Sequence, residues 1–94
     1  MVKCMQINYY DIKNKSNIID VRLAKEFNKY NIGFKNIPKL VLLREPDKYL
    51  NKKDEYYLLC QTGEVSLSCV KILNALGYHC YSITGGIERI NKKS

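Results

Sequence analysis

Tyr56-Tyr57-Leu58-Leu59-Cys60-Gln61-Thr62-Gly63-Glu64-Val65-Ser66 is the stretch that decides the fold of this chain. Tyr56 to Leu59 is aromatic and aliphatic at every position, with no polar residue in alternation. Because side chains on a strand point to opposite faces in turn, such a run suits a strand covered on both sides. The period then changes. Val65, Cys69, Ile72, Leu73 and Leu76 fall at i, i+4, i+7, i+8 and i+11, which predicts a helix with one apolar face, stopped by Gly77. Cys60 therefore stands at the end of a strand, before a short loop with a central glycine and a helix. Open α/β sheets hold their ligands at that place.

The flanks repeat the pattern. Ile18-Ile19-Asp20-Val21 follows the turn-like Asn14-Lys15-Ser16-Asn17 and reads as a buried strand. Leu23, Phe27 and Tyr30 recur at helical spacing and predict a short amphipathic helix. Asn36-Ile37-Pro38 reads as a brief strand ended by proline. Leu40 to Arg44 and Pro46 to Leu50 read as helical turns, Pro46 serving as a break or a start. Cys80 to Thr84 is a further strand ending at Gly85-Gly86, and Ile87 to Asn91 a short last helix. Strands alternating with helices imply α/β architecture with parallel pairing and right-handed crossovers.

Composition sets the bounds. The 94 residues make one domain, 1–94, with 46% hydrophobic and 27% charged residues, a folded composition. No apolar run approaches the ~20 residues of a membrane span. Met1-Val2-Lys3-Cys4-Met5-Gln6 lacks the apolar core of a secretory signal, so a cytoplasmic location is expected. Cys4, Cys60, Cys69 and Cys80 include no Cys-x-x-Cys pair, and His79, the one histidine, forms no finger pattern. Neither a metal site nor a disulfide scaffold is expected. The net charge of +7 comes from lysines spread along the chain, without an arginine stripe or aromatic platform. It reads as solvated surface, not a nucleic-acid site, though it can speed encounter with anionic or acidic partners.

Chemistry concentrates at Cys60. Amides of a tight loop can point inward at the sulfur as in other anion-binding nests, and the helix N-terminus adds partial positive charge. Both favour thiolate, the nucleophilic form, over thiol. Gly63 suits an unusual backbone angle. Ser66 is expected to cap the helix or to donate to a bound group. Cys69 shares the apolar helix face and reads as core, not as a second reactive thiol. Cys4 and Cys80 are given no role, and His79 reads as surface.

The order of these elements resembles the rhodanese-like domains. Ile19-Asp20-Val21-Arg22 with Glu26-Phe27, then Gly33-Phe34-Lys35-Asn36-Ile37-Pro38, then Tyr57-Leu58-Leu59-Cys60 with Gly63 and Ser66, then Leu76-Gly77-Tyr78 and Gly85-Gly86-Ile87 carry the likeness across Ile18 to Ile90. The resemblance implies a five-stranded parallel sheet flanked by helices on both faces. It implies a sulfurtransferase in which Cys60 carries a persulfide, its outer sulfur held by amides of Gln61, Thr62, Gly63, Glu64, Val65 and Ser66. The donor would be thiosulfate, a persulfide or a polysulfide, and the acceptor a thiol, a protein or another nucleophile. No cofactor is implied, since the cysteine is itself the carrier. Asp20, Arg22 and Glu26 match positions that are chiefly structural in the family.

The chain also departs from the family. The usual His-Ile-Pro-Gly-Ala is replaced by Asn31-Ile32-Gly33-Phe34, and the aromatic residue after the double glycine is absent, with Ile87 and Ile90 in that helix. Thiosulfate-using loops tend to be basic, whereas this one carries Glu64. A carboxylate facing a dianionic donor predicts weak thiosulfate use and better use of persulfides. Two other functions occur on such a cysteine-centred fold. A cysteine phosphatase or arsenate reductase needs an arginine six residues after the cysteine, where Ser66 stands. A non-catalytic interaction module on the same fold is the alternative reading.

Overall fold

The computed structural model describes residues 5–93. Cys4, to which the sequence gives no role, lies outside them. Five strands form one sheet in the order β1-β5-β4-β2-β3, every neighbouring pair parallel. They are β1 Gln6–Ile7, β2 Ile18–Asp20, β3 Lys35–Asn36, β4 Glu55–Leu59 and β5 His79–Ile83. Between and after them run α1 Tyr9–Ile12, α2 Ala24–Lys29, α3 Lys39–Arg44, α4 Pro46–Tyr49, α5 Glu64–Ala75 and α6 Gly86–Lys93.

Alternation along β4 divides the core in two. Tyr56, Leu58 and Cys60 face one side, with Leu42, Leu50, Cys69, Val70 and Leu73. Tyr57 and Leu59 face the other, with Ile12, Ile83 and Ile87. Helices α3 and α5 thus cover one face of the sheet, and α1 and α6 cover the other. Full burial of Leu58 and of Leu59 is worth about 1.5–3 kcal/mol each. The expectation of a strand covered on both sides is met at β4.

Two helical faces differ from the sequence reading. On α5 the buried residues are Ser66, Cys69, Val70 and Leu73. Val65, Ile72 and Leu76 stay about half exposed. At about 100° per residue the buried arc centres on Ser66 and Leu73, about a quarter turn from those three. A serine on the core side pulls the stripe away from where hydrophobicity alone puts it. On α2 no residue is buried, and Leu23 and Tyr30 are exposed. What ties that segment down is Arg22, whose Nη2 donates to the Tyr30 carbonyl at 2.7 Å.

The helix stop at Gly77 is as expected. Gly77 takes φ +100°, the Gly77 amide donates to the Asn74 carbonyl, and the Tyr78 amide reaches back to Leu73, which is a Schellman closure. Pro46 begins α4. The first strand and helix, β1 and α1, had no signal in the sequence. β1 is only Gln6 and Ile7, one polar and one apolar residue, and α1 is a single turn capped by the Asn8 side chain on the Tyr10 amide at 3.0 Å.

Candidate functional site

Cys60 follows β4 directly, and its sulfur is enclosed by its own loop. The Gly63 amide donates to Sγ at 3.0 Å and the Ser66 amide at 3.3 Å. The Ser66 hydroxyl lies 3.3 Å from the same sulfur. Cys60 is only 1% exposed, so the two amides stand in for much of the water that a sulfur anion would otherwise require. Gly63 is the N-cap of α5 at φ +96°, which sets the first turn of a twelve-residue helix, with its partial positive charge, against the sulfur.

The loop is held from outside by the start of α6. The Ile87 amide donates to the Cys60 carbonyl at 3.0 Å and the Glu88 amide to the Gln61 carbonyl at 3.1 Å. With the carbonyls drawn outward, the Gly63 and Ser66 amides are left to point in. A side chain at Gly86 would collide with the Cys60 and Gln61 carbonyls, so the second glycine of the pair is there for backbone approach. The helix that follows carries Ile87 and Ile90 in place of an aromatic residue; Ile87 is fully buried on the second core face and Ile90 packs against it.

Behind the sulfur Ser66 forms a hydroxyl pair with Ser82, a residue that the sequence does not single out. Ser66 Oγ and Ser82 Oγ are 2.7 Å apart, both fully buried, and each is 3.2 Å from the Gly63 carbonyl. Ser66 is expected to cap α5 or to donate to a bound group, and it stands at the sulfur but not at the cap. Gly63 holds the cap position and Ser66 sits inside the first turn. Ser82 is a buried polar residue between Tyr81 and Ile83 of β5, and the parallel pairing Leu58↔Ser82 brings it beside the loop.

In front of the sulfur is a pocket of about 280 Å³, lined among others by Val21, Leu23, Leu40 and Val65. Leu23 and Leu40 are 59% and 76% exposed and form an apolar rim. The charged groups of the lining are Arg22, Glu26 and Lys39. Arg22 is engaged with the Asp20 carboxylate through Nε at 3.1 Å and Nη2 at 2.9 Å, and its Nη1 is 3.4 Å from Gln61 Oε1. Asp20 and Arg22 are both buried, so removing one partner would strand a charge. Lys39 Nζ donates to Ser68 at 2.8 Å.

The loop residues thus divide. Gly63 and Ser66 hold the sulfur, Gln61 and Val65 line the pocket, and Thr62 and Glu64 are exposed without lining it. The expectation that the Glu64 carboxylate faces the incoming donor rests on its place in the loop; Glu64 is exposed and is not among the residues that line this pocket. The carboxylate in the lining is Glu26, which sequence reasoning set aside as structural. Loop membership does not tell which way a side chain points.

Cys60, Cys69 and Cys80 are buried thiols. Burial pushes the Cys69 thiol up to about 11, against the opposing pull of Lys39, and Cys60 raises it further. That agrees with the core reading of Cys69. His79 begins β5 and is exposed. Among the described residues no helix is long and apolar enough to cross a membrane.

A sulfur at a strand end, cradled by loop amides at the start of the next helix on a parallel sheet, defines a cysteine-centred α/β domain. The sequence pattern described as Rhodanese-like domain matches residues 7–93, and the chain belongs to that family. A rhodanese-like domain protein from Staphylococcus aureus is 29% identical, with 88% of this chain and 87% of that one covered and a TM-score of 0.77. A rhodanese-related protein from Thermoplasma volcanium is also 29% identical, covering 95% and 92%, with a TM-score of 0.80. The rhodanese-like domain of an Anabaena protein shares the fold at 20% identity, covering 96% and 75%, with a TM-score of 0.81. No curated protein matches the chain.

Proposed function

We propose that this protein is a sulfurtransferase that accepts a sulfane sulfur on Cys60 and passes it to a thiol or another nucleophile. The observation that carries the reading is the convergence of the Gly63 amide, the Ser66 amide and the Ser66 hydroxyl on one buried sulfur. In the first step the Cys60 thiolate attacks the outer sulfur of a donor R–S–SH. The Cys60 persulfide bond forms, the donor S–S bond breaks, and its electron pair leaves on R–S⁻. In the second step an acceptor thiolate attacks the outer sulfur of the persulfide, and Cys60 departs as thiolate. Sγ carries negative charge before the first step and after the second, so donors aimed at Sγ assist both. The outer sulfur is received by amides of the Gln61 to Ser66 loop.

The pocket supports an organic persulfide or a polysulfide as donor. Its walls are apolar at Val21, Leu23, Leu40 and Val65, and its two cations are already engaged with Asp20 and Ser68. Asp20 offsets the Arg22 charge, and the Lys39 charge, which the neutral Ser68 hydroxyl leaves in place, is opposed by Glu26, so a dianion such as thiosulfate gains little net attraction there. The exposed Leu23 and Leu40 rim also suits the docking of a protein acceptor. Phosphoryl transfer is not supported, because the residue six places after Cys60 is Ser66, without a guanidinium to clamp an oxyanion. The test is the initial rate of sulfur transfer from a small organic persulfide and from thiosulfate to a thiol acceptor. Transfer by the wild type that disappears in Cys60→Ser supports the proposal. Equal rates with and without Cys60 would refute it.

A further inference from the structure

Three buried groups share a set of protons that sulfur chemistry must rearrange. Cys60 is 1% exposed, and Ser66 and Ser82 are not exposed at all, so water does not compete for them. While the sulfur is a thiol, its S–H donates to Ser66 Oγ, and the Ser66 proton is free to go to the Gly63 carbonyl or to Ser82 Oγ. An anionic sulfur needs the reverse bond. The Ser66 proton must turn toward Sγ, leaving Ser66 Oγ as an acceptor with no donor behind it.

Ser82 stands where that donor is needed. Its hydroxyl is 2.7 Å from Ser66 Oγ and 3.2 Å from the Gly63 carbonyl, so it can shift its proton from one to the other. The Gly63 carbonyl does not suffer from the shift, because the Leu67 amide donates to it at 3.1 Å in either arrangement. A chain Ser82 O–H to Ser66 Oγ, Ser66 O–H to Sγ, polarises each bond by the next. We infer that Ser82 is a positioning residue, whose hydroxyl holds Ser66 with its proton aimed at the Cys60 sulfur whenever that sulfur is anionic. No covalent bond changes in this switch; two hydroxyl protons rotate. The inference rests on the sulfur-transfer reading for its use in turnover, since Sγ is the nucleophile of one step and the leaving group of the other. Its effect on the sulfur is visible without any sulfur donor.

The experiment follows alkylation of Cys60 by iodoacetamide across pH, with the Cys60 peptide read by mass spectrometry, in wild type, Ser82→Ala, Ser82→Thr, Ser66→Ala and the Ser66→Ala/Ser82→Ala double variant. Loss of one bond to a chain ending on an anion predicts about tenfold slower alkylation at neutral pH in Ser82→Ala. The whole pH–rate profile should move upward by about one unit. Ser82→Thr, which keeps the hydroxyl, should return most of the rate. In the Ser66→Ala background, removing Ser82 should change nothing further, because the link to sulfur is already cut. A merely structural Ser82 gives a different pattern: an unmoved profile, or the same loss in both backgrounds, or a Thr variant as slow as the Ala variant. Any of these overturns the inference. A protein that takes sulfur from no donor yet shows the predicted alkylation pattern refutes the transfer reading and supports the role of Ser82.

Discussion

The Gly63 amide nitrogen stands 3.0 Å from the Cys60 sulfur, and the conformation that puts it there excludes a side chain. Gly63 has φ +96°, and a Cβ on it would meet the Gly85 nitrogen at 2.9 Å. The donor to the sulfur and the packing of the loop on the start of α6 are therefore fixed by the same residue. Gly63→Ala is expected to lose about 1–3 kcal/mol of stability from backbone strain alone. It should also lose most persulfide formation, because relief of the clash moves the amide off the sulfur. Urea unfolding together with Cys60 sulfur loading checks both. A variant with full loading would show that the Gly63 amide is not needed to hold the sulfur.

Cys69 supplies a pH test. Its folded pKa, about 11, lies above the reference thiol value of 9.0 because burial disfavours the thiolate. The unfolded chain releases this proton near pH 9 and the folded chain does not. Its contribution is thus fully present below pH 9 and is lost as pH rises toward 11, by about 2–3 kcal/mol in all. Cys69→Ala should cost about 1 kcal/mol at neutral pH, keep sulfur transfer, and lose stability less steeply than wild type between pH 9 and 11. Denaturant melts of the two proteins across that range measure the slope. Identical slopes would show that the buried thiol does not drive it.

Glu26 and Glu64 separate the two views of the donor. Glu26 lines the pocket and Glu64 does not. Glu26→Gln should raise kcat/KM for thiosulfate by about twofold to tenfold, the effect of one unit charge at a wet site, with the gain shrinking as salt rises. Glu64→Gln should leave it within about twofold. A larger response at Glu64 would restore that residue to the pocket mouth.

Much of this was legible at β4 and the loop after it. An unbroken apolar run, a glycine and a change of period are strong local signals, and they placed Cys60, Gly63 and Ser66 together. The five-stranded sheet came from the family resemblance, since β1 is too short to show a period of its own. The buried face of α5 was misread because Ser66 belongs to the core and Val65 does not, which hydrophobicity cannot reveal. Ser82 and Glu26 reach the site through strand pairing and helix direction, relations between segments distant in sequence.

The central claim is that Cys60 carries the sulfur, and intact mass is its most direct test. Protein treated with an organic persulfide donor, then freed of small molecules, should gain the mass of one sulfur atom. Cyanide or a thiol should remove that gain, and Cys60→Ser should never show it. A gain that persists in Cys60→Ser, or a wild type that takes no sulfur from persulfide, polysulfide or thiosulfate, contradicts the account.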